Sequence, residues 1–120
     1  MLVIRPAQVA AIERGSLEER LIADLRAELP ERCETLGSGA TVRLVREAYT
    51  RAAACGLTTP PSIALFVRVS LIFGAGFEER HPWAAAALED RSDPDEAARR
   101  KRLQTAALWH LQKLETAEAV

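Results

Sequence analysis

The side chains best suited to catalysis in this sequence are two cysteines and two histidines, Cys33, Cys55, His81 and His110. Nucleophilic catalysis needs a serine or cysteine beside a base that a third group orients. The spacing of these four residues brings no such pair together, and the sequence contains no Gly-x-Ser-x-Gly nucleophile elbow. We therefore predict that the chain is not an enzyme and has no catalytic residues.

The same residues supply little for a metal site. Neither His-x-x-x-His nor Cys-x-x-Cys occurs, although such short spacings are typical of zinc ligands. Two thiols in an intracellular protein are normally reduced, so we expect both cysteines to be free and structural. No metal is predicted.

One glycine-containing stretch, Gly37-Ser38-Gly39-Ala40-Thr41, superficially suggests a phosphate-binding loop. A Walker loop requires lysine followed by serine or threonine after its last glycine, and a dinucleotide loop requires a preceding strand. Neither condition is met. The stretch is interpreted as a joint between helices, and no cofactor or small-molecule substrate is predicted.

The basic run Arg99-Arg100-Lys101-Arg102 is the clearest candidate for nucleic-acid binding. Four consecutive helical residues sweep about 300°, so they surround the helix instead of forming a stripe. Asp95 and Glu96 each precede a basic residue by four positions, which is favourable on a helix. We predict a solvated, self-neutralised surface and no nucleic-acid partner, with protein contact as the remaining alternative.

Two features suggest a protein-binding surface. Arg68 interrupts the most apolar segment, where it either reaches the surface, pairs with an acid from another helix, or meets a partner protein. The segment from Phe77 to Trp83 combines two aromatic residues with Arg80 and His81 beside two glycines, and aromatic residues and arginine are enriched in interface hot spots. The alternative is that Phe77 and Trp83 close one end of the core.

Prolines, glycines and apolar spacing predict the helices that would carry these residues. Pro6 begins the first helix, which either continues with a kink or is replaced by a second helix at Gly15-Ser16, and which stops at Pro30. The next helix carries apolar residues between Val42 and Ala52 and ends in Cys55-Gly56-Leu57, a sequence that suits a Schellman ending.

The third helix is expected to lie at the centre of the fold. Pro60 begins it, and residues 63–73 are apolar on almost every side, which is typical of a helix enclosed by its neighbours. The same run is compatible with a strand, but its length and proline start favour a helix. The prediction is a compact all-α bundle of about five helices around this central hydrophobic helix, at about residues 60–73.

Two further helices complete the predicted bundle. A loop from Phe77 to Pro82 leads into an alanine-rich helix that ends near Leu88. Asp93 then caps the last helix and Pro94 starts it. Its inward stripe is predicted to consist of Leu103, Ala107, Leu111 and Leu114.

Length and composition agree with one domain covering residues 1–120. Hydrophobic residues make up 48% of the chain, enough for a core, and the net charge of −1 does not suggest a polyanion binder. The longest apolar run is well short of the about 20 residues that a membrane span needs. The first residues do not have the pattern of a signal peptide, so a cytoplasmic protein without membrane contact is expected.

Several of these features occur together in a known arrangement. In order along the chain they are Ile4-Arg5-Pro6-Ala7-Gln8, Leu29-Pro30, Cys55-Gly56-Leu57, Phe73-Gly74-Ala75-Gly76-Phe77, His81-Pro82-Trp83 and the closing Leu103–Leu114 helix. This arrangement resembles a group of small all-helical bacterial proteins encoded in type VI secretion effector clusters, near spike proteins with VgrG or PAAR modules.

The resemblance implies an adaptor or co-chaperone that helps to load an effector toxin onto a component of the secretion spike. An immunity protein that neutralises a cognate toxin is the alternative, but such proteins usually carry a strong charge excess, which this chain lacks. A small transcriptional regulator or antitoxin would need an exposed basic recognition helix. The sequence does not show one.

Overall fold

The computed structural model describes residues 6–89 and 95–118, with side chains for residues 11–89 and 95–114. This part of the chain contains seven helices and no strand, which confirms the all-α prediction. The helices are α1 (Pro6–Glu28), α2 (Pro30–Leu36), α3 (Ser38–Ala54), α4 (Pro60–Phe73), α5 (Phe77–Arg80), α6 (Pro82–Glu89) and α7 (Glu96–Glu118). The single-turn helix α5 occupies part of the stretch predicted as a loop.

Helix α4 lies at the centre of the bundle, as predicted. It packs against α1, α2, α3, α5 and α7, so it is enclosed on most sides. Phe66 and Val67 are fully buried, and the hydroxyl of buried Ser70 donates a 2.8 Å hydrogen bond to the carbonyl oxygen of Phe66. Enclosure by other helices explains the apolar sequence of α4. Within the described residues, no helix is both long and apolar enough to cross a bilayer.

Helix α1 runs without interruption through Gly15-Ser16, so the alternative of two separate helices is wrong. The two apolar faces of α1 have different surroundings. Leu21 and Leu25 are buried, whereas Ile12 is exposed. Among the described side chains of α1, the apolar ones from Leu17 onward pack in or against the core, so a continuous helix tolerates the change of apolar face.

The ending of α3 is the predicted Schellman motif. The Leu57 N–H donates to the Ala52 carbonyl oxygen at 2.9 Å, and the Gly56 N–H donates to that of Ala53 at 3.0 Å. Gly56 has a φ of +79°, and Leu57 is fully buried. The motif turns the chain from α3 into the proline-led start of α4.

The start of α7 differs from the prediction. Asp93 and Pro94 lie outside the described residues, and Asp95 caps the helix by accepting a 3.0 Å hydrogen bond from the Ala97 N–H. Within the described structure Glu96 forms no ion pair with Arg100, so that expected pairing is wrong. The Glu96 carboxylate instead accepts hydrogen bonds from the backbone N–H groups of Thr58 and Thr59 and from the Thr58 hydroxyl. It therefore ties the start of α7 to the start of α4.

This contact makes stability depend on pH in the acid range. Partial desolvation raises the pKa of Glu96, but the hydrogen bonds from Thr58 and Thr59 outweigh it and lower the pKa from 4.5 to about 2. Because the folded pKa is depressed, the contribution of the carboxylate is complete above about pH 4.5 and is lost as the pH falls towards 2.

We expect Glu96→Gln to lower the free energy of unfolding at pH 7 by about 1 kcal/mol, since amide oxygens are weaker acceptors than carboxylates. Urea titrations between pH 7 and pH 2.5 would measure the difference from the parent chain. It should shrink steadily below pH 4.5. Glu19→Gln, at an exposed position on α1, is the matched control and should change little. A difference that stays constant down to pH 2.5 would contradict the assignment.

Candidate functional site

The predicted surface segment lies where α4 gives way to α5 and α6. Gly74 and Gly76 both have positive φ, +99° and +81°, which allows the chain to reverse direction directly after α4. The guanidinium of Arg80 turns back across this joint, and its Nη2 donates a 3.2 Å hydrogen bond to the carbonyl oxygen of Phe73. Arg80 is otherwise exposed, so one cation both caps α4 and faces solvent.

Trp83 is the centre of a group of rings that we call the aromatic cluster, formed by Phe73, His81, Trp83 and His110. The Trp83 ring lies 5.1 Å from Phe73 in an edge-to-face arrangement, and 5.5 Å from His81. It stacks on His110 with centroids 4.6 Å apart and planes 18° apart. All four side chains are partly buried, so the cluster packs on the core and still borders solvent.

His110 was not among the predicted partner-binding residues, yet its ring joins this site. His110 lies seven residues after Leu103 and three after Ala107, so it shares the inward face of α7 with both. This periodicity could have predicted that the His110 side chain faces the core. Which residue it would meet depends on how α7 packs against α6.

Phe77 has a different place from the other members of its segment. Its side chain is fully buried, and its ring lies 4.9 Å from Phe66. A buried ring offers no surface to a partner. Phe77 therefore closes one end of the core, which is the alternative that the sequence left open. Trp83 is only partly buried and keeps part of its ring in contact with solvent.

Arg68 pairs with an acid from another helix, which confirms one of the three alternatives. Its Nε and Nη2 donate hydrogen bonds of 2.7 and 2.9 Å to the two carboxylate oxygens of Glu28 on α1. This bidentate pair lets α4 carry a charge without burying it unpaired. Among the described residues, no hydrogen bond or ring contact joins Arg68 to the aromatic cluster.

Glu78 and His81 have Glu-x-x-His spacing, which occurs in some metal sites. Their side chains contact different neighbours: Glu78 forms a salt bridge with Arg51 on α3, and His81 lies against the rings of Phe73 and Trp83. Hydrogen bonding to Glu78 raises the pKa of Arg51. Within residues 11–89 and 95–114, no three His, Cys, Asp or Glu side chains are grouped as metal ligands.

Both cysteines are free thiols, Cys33 buried and Cys55 half-buried. Cys55 borders an open groove of about 600 Å³ whose other walls include Leu88, Glu89 and Arg99. Burial raises the pKa of the Cys55 thiol. Because the thiolate is the reactive form, this environment makes Cys55 a poorer nucleophile than an ordinary cysteine.

The end of α7 is less covered than the sequence suggested. Leu103 and Ala107 are buried, but Leu114, predicted to continue the inward stripe, is 49% exposed. Trp109 is 51% exposed, and the Nζ atom of Lys113 lies 3.8 Å from its ring centroid. Trp109 also meets His110 edge to face at 4.7 Å, so it adjoins the aromatic cluster.

Comparison with known proteins adds no relative. No protein-family model, curated protein sequence or solved structure matches this chain.

Proposed function

We propose that this chain is a non-catalytic, cytoplasmic protein-binding protein that acts as an adaptor or co-chaperone for a type VI secretion effector. The resemblance of its sequence features to small proteins of such clusters supports the biological role. The observation that supports binding is the partly exposed aromatic cluster, which has the exposed cation of Arg80 on the adjoining turn. Partly exposed aromatic rings next to an arginine are among the residue types that dominate interface energetics.

The partner would be identified by co-purification from the native cell and mass spectrometry. An effector or a spike component is the expected result. A toxin whose activity is blocked by stoichiometric binding would instead make the chain an immunity protein. Recovery of operator DNA would indicate a regulator.

The predicted interface is then tested with Arg80→Ala and Trp83→Ala. Either change should weaken partner binding by about thirtyfold, the effect of losing about 2 kcal/mol at a hot spot. Arg20→Ala, at an exposed position on α1, is the matched control and should bind normally. Isothermal titration calorimetry gives the affinities.

Thermal unfolding of the same variants separates binding from folding. Trp83→Ala should also melt earlier, because its ring packs on Phe73 and His110. Arg80→Ala should lose only about 1 kcal/mol of stability, with the hydrogen bond to the Phe73 carbonyl oxygen. If Arg80→Ala binds as tightly as the parent and Trp83→Ala only loses stability, the interface lies elsewhere and this segment belongs to the core.

A further inference from the structure

Helix α7 carries charges of only one sign, positive, over most of its length. Between Ala98 and Leu114 it carries five basic residues and no acidic residue. Three of the five contact the body of the protein: Arg99 Nη2 donates to Gly56 O at 3.1 Å, Arg100 Nη1 to Ser62 Oγ at 3.5 Å, and Arg102 Nε to Ala87 O at 3.4 Å. The remaining two, Lys101 and Lys113, are exposed.

Around the helix axis Trp109 lies between the two exposed lysines, about 80° from Lys101 and about 40° from Lys113. Ala98, Thr105 and Ala106 complete this surface, which we call the α7 outer face, and they border a shallow open depression of about 670 Å³. Neither lysine forms a salt bridge within the described residues. The outer face therefore combines a half-exposed indole ring with two cations that form no salt bridge in the described structure, and the Lys113 ammonium lies 3.8 Å from the ring centroid.

We propose that the α7 outer face binds an acidic amphipathic segment of a partner protein, which packs an apolar side chain on Trp109 and places carboxylates beside Lys101 and Lys113. The proposal rests on the proposed function as a protein-binding protein and gives the chemistry of what is bound. Apolar contact with the indole supplies buried area. The lysines supply charge complementarity, which favours association and fixes the orientation of the segment.

The geometry sets the spacing of the acidic groups. Lys101 and Lys113 are twelve residues apart, about 18 Å along the helix axis. A helical partner would need carboxylates about twelve residues apart, with its apolar contact nearer to the carboxylate that meets Lys113. A second copy of this chain does not meet this requirement, because two outer faces would bring only like charges together.

The probe is an 18-residue helix-forming synthetic peptide with a leucine stripe flanked by glutamates, titrated into the full chain by calorimetry. Trp109→Ala should weaken its binding by about thirtyfold. The double variant Lys101→Glu/Lys113→Glu should weaken it by at least about tenfold and should prefer a second peptide in which lysine replaces every glutamate. Such a preference would identify the two lysines as the contacts of the acidic groups.

A control variant distinguishes a local contact of Lys101 and Lys113 from an effect of the changed net charge. Arg20→Glu/Arg26→Glu makes the same change in net charge on exposed positions of α1 and should bind the acidic peptide like the parent. All of the altered residues are exposed, so circular dichroism melting curves should stay close to that of the parent.

Several outcomes would overturn the proposal. These are no binding of the acidic peptide by the parent, an equal loss of binding in the α1 control, tighter binding of a 20-base-pair DNA duplex than of the peptide, or concentration-dependent self-association through Trp109 in sedimentation. If the purified partner protein binds Lys101→Glu/Lys113→Glu normally but loses affinity for Arg80→Ala, only the α7 proposal fails. If Lys101→Glu/Lys113→Glu weakens partner binding while Arg80→Ala leaves it unchanged, the interface proposed around Arg80 and Trp83 fails instead.

Discussion

Replacing Phe66 by alanine should lower the free energy of unfolding by about 3–5 kcal/mol. Phe66 is fully buried in α4, and its ring packs 4.9 Å from that of Phe77, so alanine would leave a cavity between α4 and α5. Domains of this size are stable by only about 5–15 kcal/mol. The variant should therefore unfold at a much lower urea concentration than the parent, as followed by far-ultraviolet circular dichroism.

Leu108→Ala is the control for Phe66→Ala. It also removes a large apolar side chain, but Leu108 on α7 is 52% exposed, so its loss should cost less than about 1 kcal/mol. Similar losses for the two variants would mean that α4 is not the centre of the core.

Replacing Gly74 by alanine should lower the free energy of unfolding and also disturb the Arg80 contact. Gly74 has φ +99° and ψ 154°, a region that is essentially restricted to glycine, and other residues held in such strained conformations cost about 1–3 kcal/mol. An added Cβ would lie 2.5 Å from Nη2 of Arg80, so the guanidinium must move from the carbonyl oxygen of Phe73. The lost hydrogen bond should add about 1 kcal/mol.

Gly37→Ala provides a closely matched comparison. Gly37 has φ +93° and ψ 153°, almost the same conformation, but nothing lies within 4 Å of its added Cβ. Both variants should show the backbone cost in urea titrations, and only Gly74→Ala should show the additional loss. In an Arg80→Ala background that additional loss should disappear. If it persists, the close approach to Arg80 is not its cause.

Local sequence determined most of the helices of this protein. Proline at the start of α2, α4 and α6 acts within one turn, because its fixed φ and missing N–H suit the first helical position. The Cys55-Gly56-Leu57 ending is equally local, since both of its hydrogen bonds return to the last turn of α3. The all-round apolar sequence of α4 also predicted its central position, because only enclosure makes such a helix stable in water.

The partners of individual side chains were decided by the tertiary structure. Glu96 is four residues before Arg100, yet its carboxylate binds Thr58 and Thr59, because several well-placed N–H and O–H donors at the start of α4 outweigh one exposed ion pair. The continuity of α1 through Gly15 was likewise left open by the sequence. A single glycine in a helix costs only about 1 kcal/mol relative to alanine, which tertiary packing easily outweighs.

The candidate site likewise depends partly on local sequence and partly on tertiary packing. Residue types alone identified Arg80, His81 and Trp83 as candidates for binding, because aromatic residues and arginine next to glycines are unusual in a helical stripe. Only the packing of α7 on α6 stacked His110 on Trp83 and left Trp109 exposed, and only the packing of α5 on α4 buried Phe77 against Phe66. Helical periodicity gives the direction in which each side chain points from the axis of its own helix. The rings that the side chain contacts depend on where another helix crosses, and the packing of the whole core decides that position.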